Sequence, residues 1–440
     1  MARKERAVAD ARNRRRGRAD AGDPPGTAPR RAALRLLDAV LRRGEPLDLA
    51  AHAATQGLTP PDRAFAIAIV SEALRWLTAI DTLIDGATEQ PLPEDVKARA
   101  VLRIALAQLL VLRSPAHAVV ATALPLVAGG PRRLVHALLS RAQKEAWELP
   151  DHAALPAATA ARWAEQWGTD MVAAAAAAWS APPPVDLSFA AEPPEPLPEA
   201  LALAPLHRRL PRGGAIEEIA GYREGGWWVQ DLAASIPARL LGRGEGRSVL
   251  DLCAAPGGKT MQFAAAGWQV VAVDASAKRL ERLRANLART KTNLQAEVVQ
   301  GDIRRWQPDE PADAVLLDAP CSATGIFRRH PDVLHRVEAA QITEMAALQA
   351  DLLDRAAAWV RPGGRLVYAT CSLERAEGEE RIAAFLDEHP GWVVLPATAD
   401  ELPAGVEPDA SGFVRTLPTM LADRGGLDGF FVARLEAPSC

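Results

Sequence analysis

The chain has 440 residues, more than one ordinary domain needs and enough to bury a substantial core, and its net charge of −4 excludes any reading from bulk basicity. Four cysteines, Cys253, Cys321, Cys371 and Cys440, are too few and too scattered for a disulfide framework, which implies a reducing, cytoplasmic setting. No CxxC pair, HExxH run or histidine cluster offers metal ligands, so no metal is expected.

Residues 1–28 read as a disordered basic arm, because Arg3, Lys4, Arg6, Arg12, Arg14, Arg15, Arg16 and Arg18 are set against only Glu5, Asp10 and Asp20. Such a run either touches phosphate or is simply solvated. No apolar segment follows it as in a secretory signal, and no uncharged apolar stretch is long enough to span a membrane. Residues 29–148 carry helical periodicity, with Leu102, Ala105, Leu106, Leu109 and Leu110 on one face and Phe65, Ile69, Ala73 and Trp76 on another. Pro60-Pro61, Pro91 to Pro93 and Gly129-Gly130-Pro131 punctuate that region, which predicts an all-α bundle. Residues 149–225, with an Ala-rich helix and two proline-rich runs, read as a linker and small α+β module.

The remaining segment, 226–440, changes grammar. Short apolar runs at 248–252, 269–273, 297–299, 314–317 and 365–369 alternate with helical stretches, which predicts a mostly parallel, Rossmann-like sheet covered by helices. Ligands of such sheets sit beyond the carboxyl ends of the strands. The first run leads into Asp251-Leu252-Cys253-Ala254-Ala255-Pro256-Gly257-Gly258-Lys259-Thr260, where glycines allow close backbone approach and a helix N-terminus supplies free N–H groups. A phosphate-binding Walker loop is the rival, but its first glycine would fall at Cys253 and Pro256 removes an N–H from the cradle. Asp274, 23 positions after Asp251 and at the end of the second run, is placed to accept ribose hydroxyls. Asp302, at the end of the third, either takes an adenine amino group or caps the following helix.

The last two runs end in cysteines, Cys321 in Asp318-Ala319-Pro320-Cys321-Ser322 and Cys371 in Thr370-Cys371-Ser372. A lone cysteine after a strand is commonly an inert core residue. Two at neighbouring strand ends suit thiolate attack on an electron-poor aromatic carbon, and the lack of CxxC spacing disfavours a redox disulfide.

At these motifs, together with Val229-Gln230-Asp231, Arg328-Arg329-His330-Pro331-Asp332, Pro362-Gly363-Gly364 and Asp428-Gly429-Phe430-Phe431, the chain resembles the NOL1/NOP2/Sun family of RNA cytosine-5 methyltransferases. The likeness covers nearly all of 226–431. Residues 29–145 resemble the NusB-like RNA-binding domain of bacterial members through Asp62-Arg63-Ala64-Phe65, Gln108-Leu109-Leu110 and Pro115-Ala116-His117-Ala118. The resemblance implies S-adenosylmethionine as cofactor, surrounded by Cys253, Ala254, Ala255, Pro256, Gly257, Gly258, Lys259, Asp274, Asp302 and Asp318. It further implies Cys371 as nucleophile, Cys321 as the thiol that assists product release, and 16S ribosomal RNA as substrate, with another RNA such as tRNA as the alternative. A protonated Asp318 near the base N3 would neutralise charge as Cys371 adds. Arg328, Arg329 and His330 would hold phosphates. A monomer is expected. A non-catalytic RNA-binding assembly factor is the rival outside enzymes. The chain departs from the family pattern at His136, at Leu187-Ser188-Phe189-Ala190 and at Glu377-Gly378-Glu379.

Overall fold

The computed structural model describes residues 22–193, 197, 199–213, 216–292 and 295–439. Most of the basic arm, residues 1–21, lies outside the described residues, as does Cys440. By internal contacts the chain divides into two units.

The first unit takes in the described residues up to Pro156 together with His330–Arg336. It is helical, with helices at Thr27–Arg43, Leu47–Ala54, Pro60–Arg75, Leu77–Gly86, Lys97–Leu106, Ala116–Ala123 and Gly130–Lys144. Helix Pro60–Arg75 starts where the sequence signals it, because the Thr59 side chain accepts the Asp62 N–H and proline occupies the first turn. Leu102, Ala105, Leu106 and Leu110 are buried, whereas Leu109 is only half-buried. A wider π-helical turn at Ala107–Val111 rotates the stripe at that point. Phe65 is likewise half-buried, with the Arg30 guanidinium 4.6 Å from its ring centre.

The second unit runs over Ala157–Arg329 and from Val337 onward. Helices Ala157–Trp167 and Thr169–Trp179 precede an antiparallel sheet ordered β2-β3-β1-β4, formed by β1 (Val185–Phe189), β2 (Leu201–Ala204), β3 (His207–Leu210) and β4 (Trp227–Val229). Asp186 of β1, fully buried, pairs with the Arg209 guanidinium of β3 at 2.6 Å and accepts the Leu232 N–H at 3.1 Å. This buried pair ties the small sheet to helix Leu232–Arg239, which leads into the large sheet.

The large sheet is ordered β7-β6-β5-β8-β9-β12. Its parallel strands are β5 (Ser248–Leu252), β6 (Gln269–Asp274), β7 (Ala296–Gln300), β8 (Ala312–Asp318) and β9 (Val360–Thr370). All five contain the apolar runs read from the sequence. Three antiparallel strands, β10 (Val393–Val394), β11 (Val414–Thr416) and β12 (Phe430–Glu436), were not foreseen. Strand β12 is buried on both faces, which removes the period-two pattern, and Arg434 interrupts its apolar run. That arginine is accommodated by Glu401 at 2.6 Å and by the Leu240 carbonyl. The strand order reverses between β5 and β8, the switch point at which open α/β sheets hold ligands.

Candidate active site

Strands β8 and β9 are parallel neighbours, with Leu317 opposite Tyr368 and Asp318 opposite Ala369. Their carboxyl ends therefore deliver the two cysteine loops side by side. Two backbone bonds continue the register past the strands, Ala319 N–H to Ala369 O at 2.9 Å and Gly325 N–H to Cys371 O at 3.0 Å. Gly325 must be glycine, because a Cβ there would lie 1.9 Å from the Gly429 carbonyl oxygen. The result is a Cys321 Sγ to Cys371 Sγ distance of 3.4 Å between two free thiols. The hydrogen bond with Cys371, then burial, pushes the Cys321 thiol well up.

At the end of β5, Cys253 adopts a left-handed backbone (φ 61°) and Gly257 another (φ 101°) before helix Gly258–Ala265 begins. Asp274, buried at the end of β6, accepts the Ala255 N–H at 3.2 Å and the Ser276 N–H at 2.9 Å, so it shapes the loop it was expected to serve. Arg279 lies 3.2 Å from the same carboxylate. The Cys253 thiol is pushed up to about 12 by burial and by the nearby Asp318 and Asp274 carboxylates. Asp302 is partly exposed and bonds within its own turn, accepting from the Arg304 N–H at 3.0 Å and guanidinium at 2.7 Å. These bonds lower its carboxyl to about 2.

Lys259 does not face outward as a phosphate-binding lysine would. It is buried, 2.8 Å from Asp318 Oδ2 and 5.5 Å from the Phe430 ring centre. Burial opposes its charge, but the Asp318 carboxylate prevails and Lys259 is raised, with the Cys371 thiolate form contributing in the same direction. Lys259 is thus a charge-assisted hydrogen-bond partner of Asp318 at 2.8 Å.

Of the residues expected to hold phosphates, Arg328 and Arg329 are engaged inside the protein, while His330 is partly exposed. Arg328 is buried, donating to the Gly425 carbonyl and lying 3.6 Å from Asp428. Arg329 bridges Asp428 at 2.9 Å and Asp231 at 2.7 Å; burial opposes its charge, and those two carboxylates hold it well above the usual arginine range. His330 belongs to the helical unit, its ring 3.7 Å from Asp48. Sequence reasoning gave no role to Glu374, whose buried carboxylate receives Arg162 at 2.8 Å, Trp163 at 3.1 Å and Gln166 at 3.3 Å. Glu377, six positions after Cys371, stood out only as part of a departure from the family pattern.

Two family models match the chain, the NusB family over residues 27–142 and 16S rRNA methyltransferase RsmB/F over residues 238–436. The ribosomal RNA small subunit methyltransferase B of Xanthomonas campestris is 36% identical over 385 residues, covering 82% of this chain and 88% of that protein. The chain belongs to the 16S rRNA methyltransferase RsmB/F family. The protein of the same name from Pseudomonas putida is 34% identical over 446 residues, covering 92% of this chain and 98% of its own length. Among solved structures, PH0851 shares the fold with a TM-score of 0.72 at 23% identity, covering 94% of this chain and 99% of that one. A methyltransferase homologue from Pyrococcus horikoshii gives 0.52 at 25% identity over 64% of this chain and 94% of its own.

One RsmB/F residue carries a pH signature. Asp251 is fully buried, with Thr260 Oγ1 donating to it at 2.5 Å, and burial lifts its carboxyl to about 7. The folded state thus holds this proton to higher pH than the unfolded chain, so stability falls as pH rises from about 4 through about 7. Asp251→Asn keeps the shape and removes the titration, and denaturant melts at pH 5 and pH 8 should show a decline smaller by up to about 2.6 kcal/mol. An equal decline in both proteins would dismiss Asp251 as its source.

Proposed function

We propose that this chain methylates carbon 5 of a cytosine in 16S ribosomal RNA, with S-adenosylmethionine as methyl donor and Cys371 as covalent catalyst. The observation that carries the reading is the 3.4 Å approach of two free thiols at adjacent strand ends, beside a buried lysine–carboxylate pair. Redox use of the same pair lacks the CxxC geometry.

The residues at the ends of β5 and β6 fit the donor molecule. Asp251 Oδ1 is buried with no hydrogen-bond partner among the described residues, which suits a ligand bearing an N–H donor. Asp274 is placed for ribose hydroxyls, and the backbone of 253–258 can approach closely. The donor supplies an electrophilic methyl group on a sulfonium.

Carbon 5 of cytosine is a weak nucleophile. Addition of the Cys371 thiolate to carbon 6 converts the ring into an enamine whose carbon 5 is nucleophilic. Lys259, held charged between Asp318 and Cys371, supplies positive charge where that addition begins. Once carbon 5 is methylated, its proton must leave before the bond to Cys371 can break, and Cys321, with its sulfur 3.4 Å from that of Cys371, assists that step. The base must be unstacked to meet Cys371, so a single-stranded or splayed nucleotide is the substrate form.

Bisulfite sequencing of 16S ribosomal RNA from cells with and without the active gene tests the reading. One cytosine should resist conversion only when the gene is active, and identical profiles would reject it.

A further inference from the structure

Glu377 is fully buried, and among the described residues no lysine, arginine or histidine forms an ion pair with it. Its carboxylate is instead surrounded by neutral donors from both cysteine loops. Oε1 accepts the Ser322 N–H at 2.8 Å and Gln349 Nε2 at 3.0 Å, while Oε2 accepts the hydroxyls of Ser322 and Ser372. Ser322 directly follows Cys321, and Ser372 directly follows Cys371. The two hydroxyls also meet each other at 3.1 Å.

The carboxylate is itself anchored to the strand that carries Cys371. Its backbone carbonyl accepts the Tyr368 hydroxyl at 2.9 Å and the Thr370 hydroxyl at 3.1 Å, both from β9. Gln349 completes the frame by donating from the same amide nitrogen to the Pro320 carbonyl at 2.8 Å and accepting from Tyr368 at 3.1 Å. A buried carboxylate without a cation is an expensive way to join two loops, and an apolar contact would serve stability as well. What the carboxylate adds is direction, since one planar group accepts from both loops at once.

We propose that Glu377 is a positioning residue for the thiol pair, holding the residues after Cys321 and Cys371 so that the two sulfurs stay within reach of one reacting base. This inference rests on the proposed roles of the two thiols, and its test has a readout that does not depend on them. The purified full-length protein is treated with diamide, and formation of the Cys321–Cys371 disulfide is followed by peptide mass spectrometry. In parallel, kcat and KM are measured with 16S ribosomal RNA and S-adenosylmethionine.

Glu377→Gln places an amide donor where only acceptors fit the Ser322 N–H and the Gln349 amide, or else turns it toward the two hydroxyls. In that variant, disulfide formation and kcat should each fall about tenfold or more, with KM changed less than about threefold. Unchanged cross-linking and kcat in a folded variant would overturn the proposal, and so would a raised KM at constant kcat. Slower cross-linking in Glu377→Gln, together with no RNA adduct from Cys321→Ala, would uphold the positioning role while removing the covalent mechanism. Should Glu377→Gln lose its cooperative melt, Ser372→Ala removes one donor from the same carboxylate, and the same two outcomes decide.

Discussion

Cys321→Ala protein incubated with substrate RNA and S-adenosylmethionine is expected to accumulate as a covalent protein–RNA complex, seen as a retarded band on a denaturing gel. The hydrogen bond with Cys371 is the largest cause raising the Cys321 thiol. When Cys371 becomes bonded to carbon 6 its thiolate no longer exists, and that cause disappears. On the proposed mechanism Cys321 can then give its own proton to solvent and, as thiolate, take the carbon 5 proton. Without it, addition and methyl transfer proceed but expulsion of Cys371 stalls. Replacing Cys371 as well should abolish the band. A band that appeared with Cys371→Ala and not with Cys321→Ala would exchange the two roles, and turnover at the parent rate without any band would remove covalent catalysis.

Cys371→Ser should lose turnover by a factor of about 1000 or more, because an alkoxide is not available at neutral pH and the hydroxyl is a far weaker nucleophile toward carbon 6. Cofactor affinity should change less than about threefold, since the loops at the ends of β5 and β6 do not use this side chain. Calorimetry with S-adenosylhomocysteine beside a methylation assay separates the two effects. Near-parental turnover would end the role assigned to Cys371.

The parallel strands were legible because β5, β8 and β9 each carry a short buried apolar run near the carboxyl end, and a sequence motif follows each. The meeting of Cys321 and Cys371 followed from strand adjacency alone. Strand β12 escaped notice because Arg434 sits in it, and a single sequence cannot reveal that Glu401 will neutralise the charge. Arg328 and Arg329 misled for the same reason. In sequence they are a dibasic pair in a loop, whereas Asp231 and Asp428, 98 and 99 positions from Arg329, turn them inward. Asp318 stands at the end of β8 as read, but its partner Lys259 comes from the helix after β5, which no local pattern around Asp318 reveals. Glu374 and Glu377 carry no motif that separates a framing carboxylate from a surface one.

The grip of helix Ala157–Trp167 on Glu374 bears on how the enzyme comes into being. Arg162 and Trp163 reach a carboxylate 212 and 211 residues further along the chain, and the Trp167 indole donates to the Leu373 carbonyl beside it. The opposite side of β9 waits for β12, the last described strand. Contacts of such sequence separation close late, because the chain between them must first be ordered. A nascent protein therefore carries Cys371 for some time before it has a framework around it, and the paired-thiol site is completed as one late event in biogenesis rather than growing with chain length.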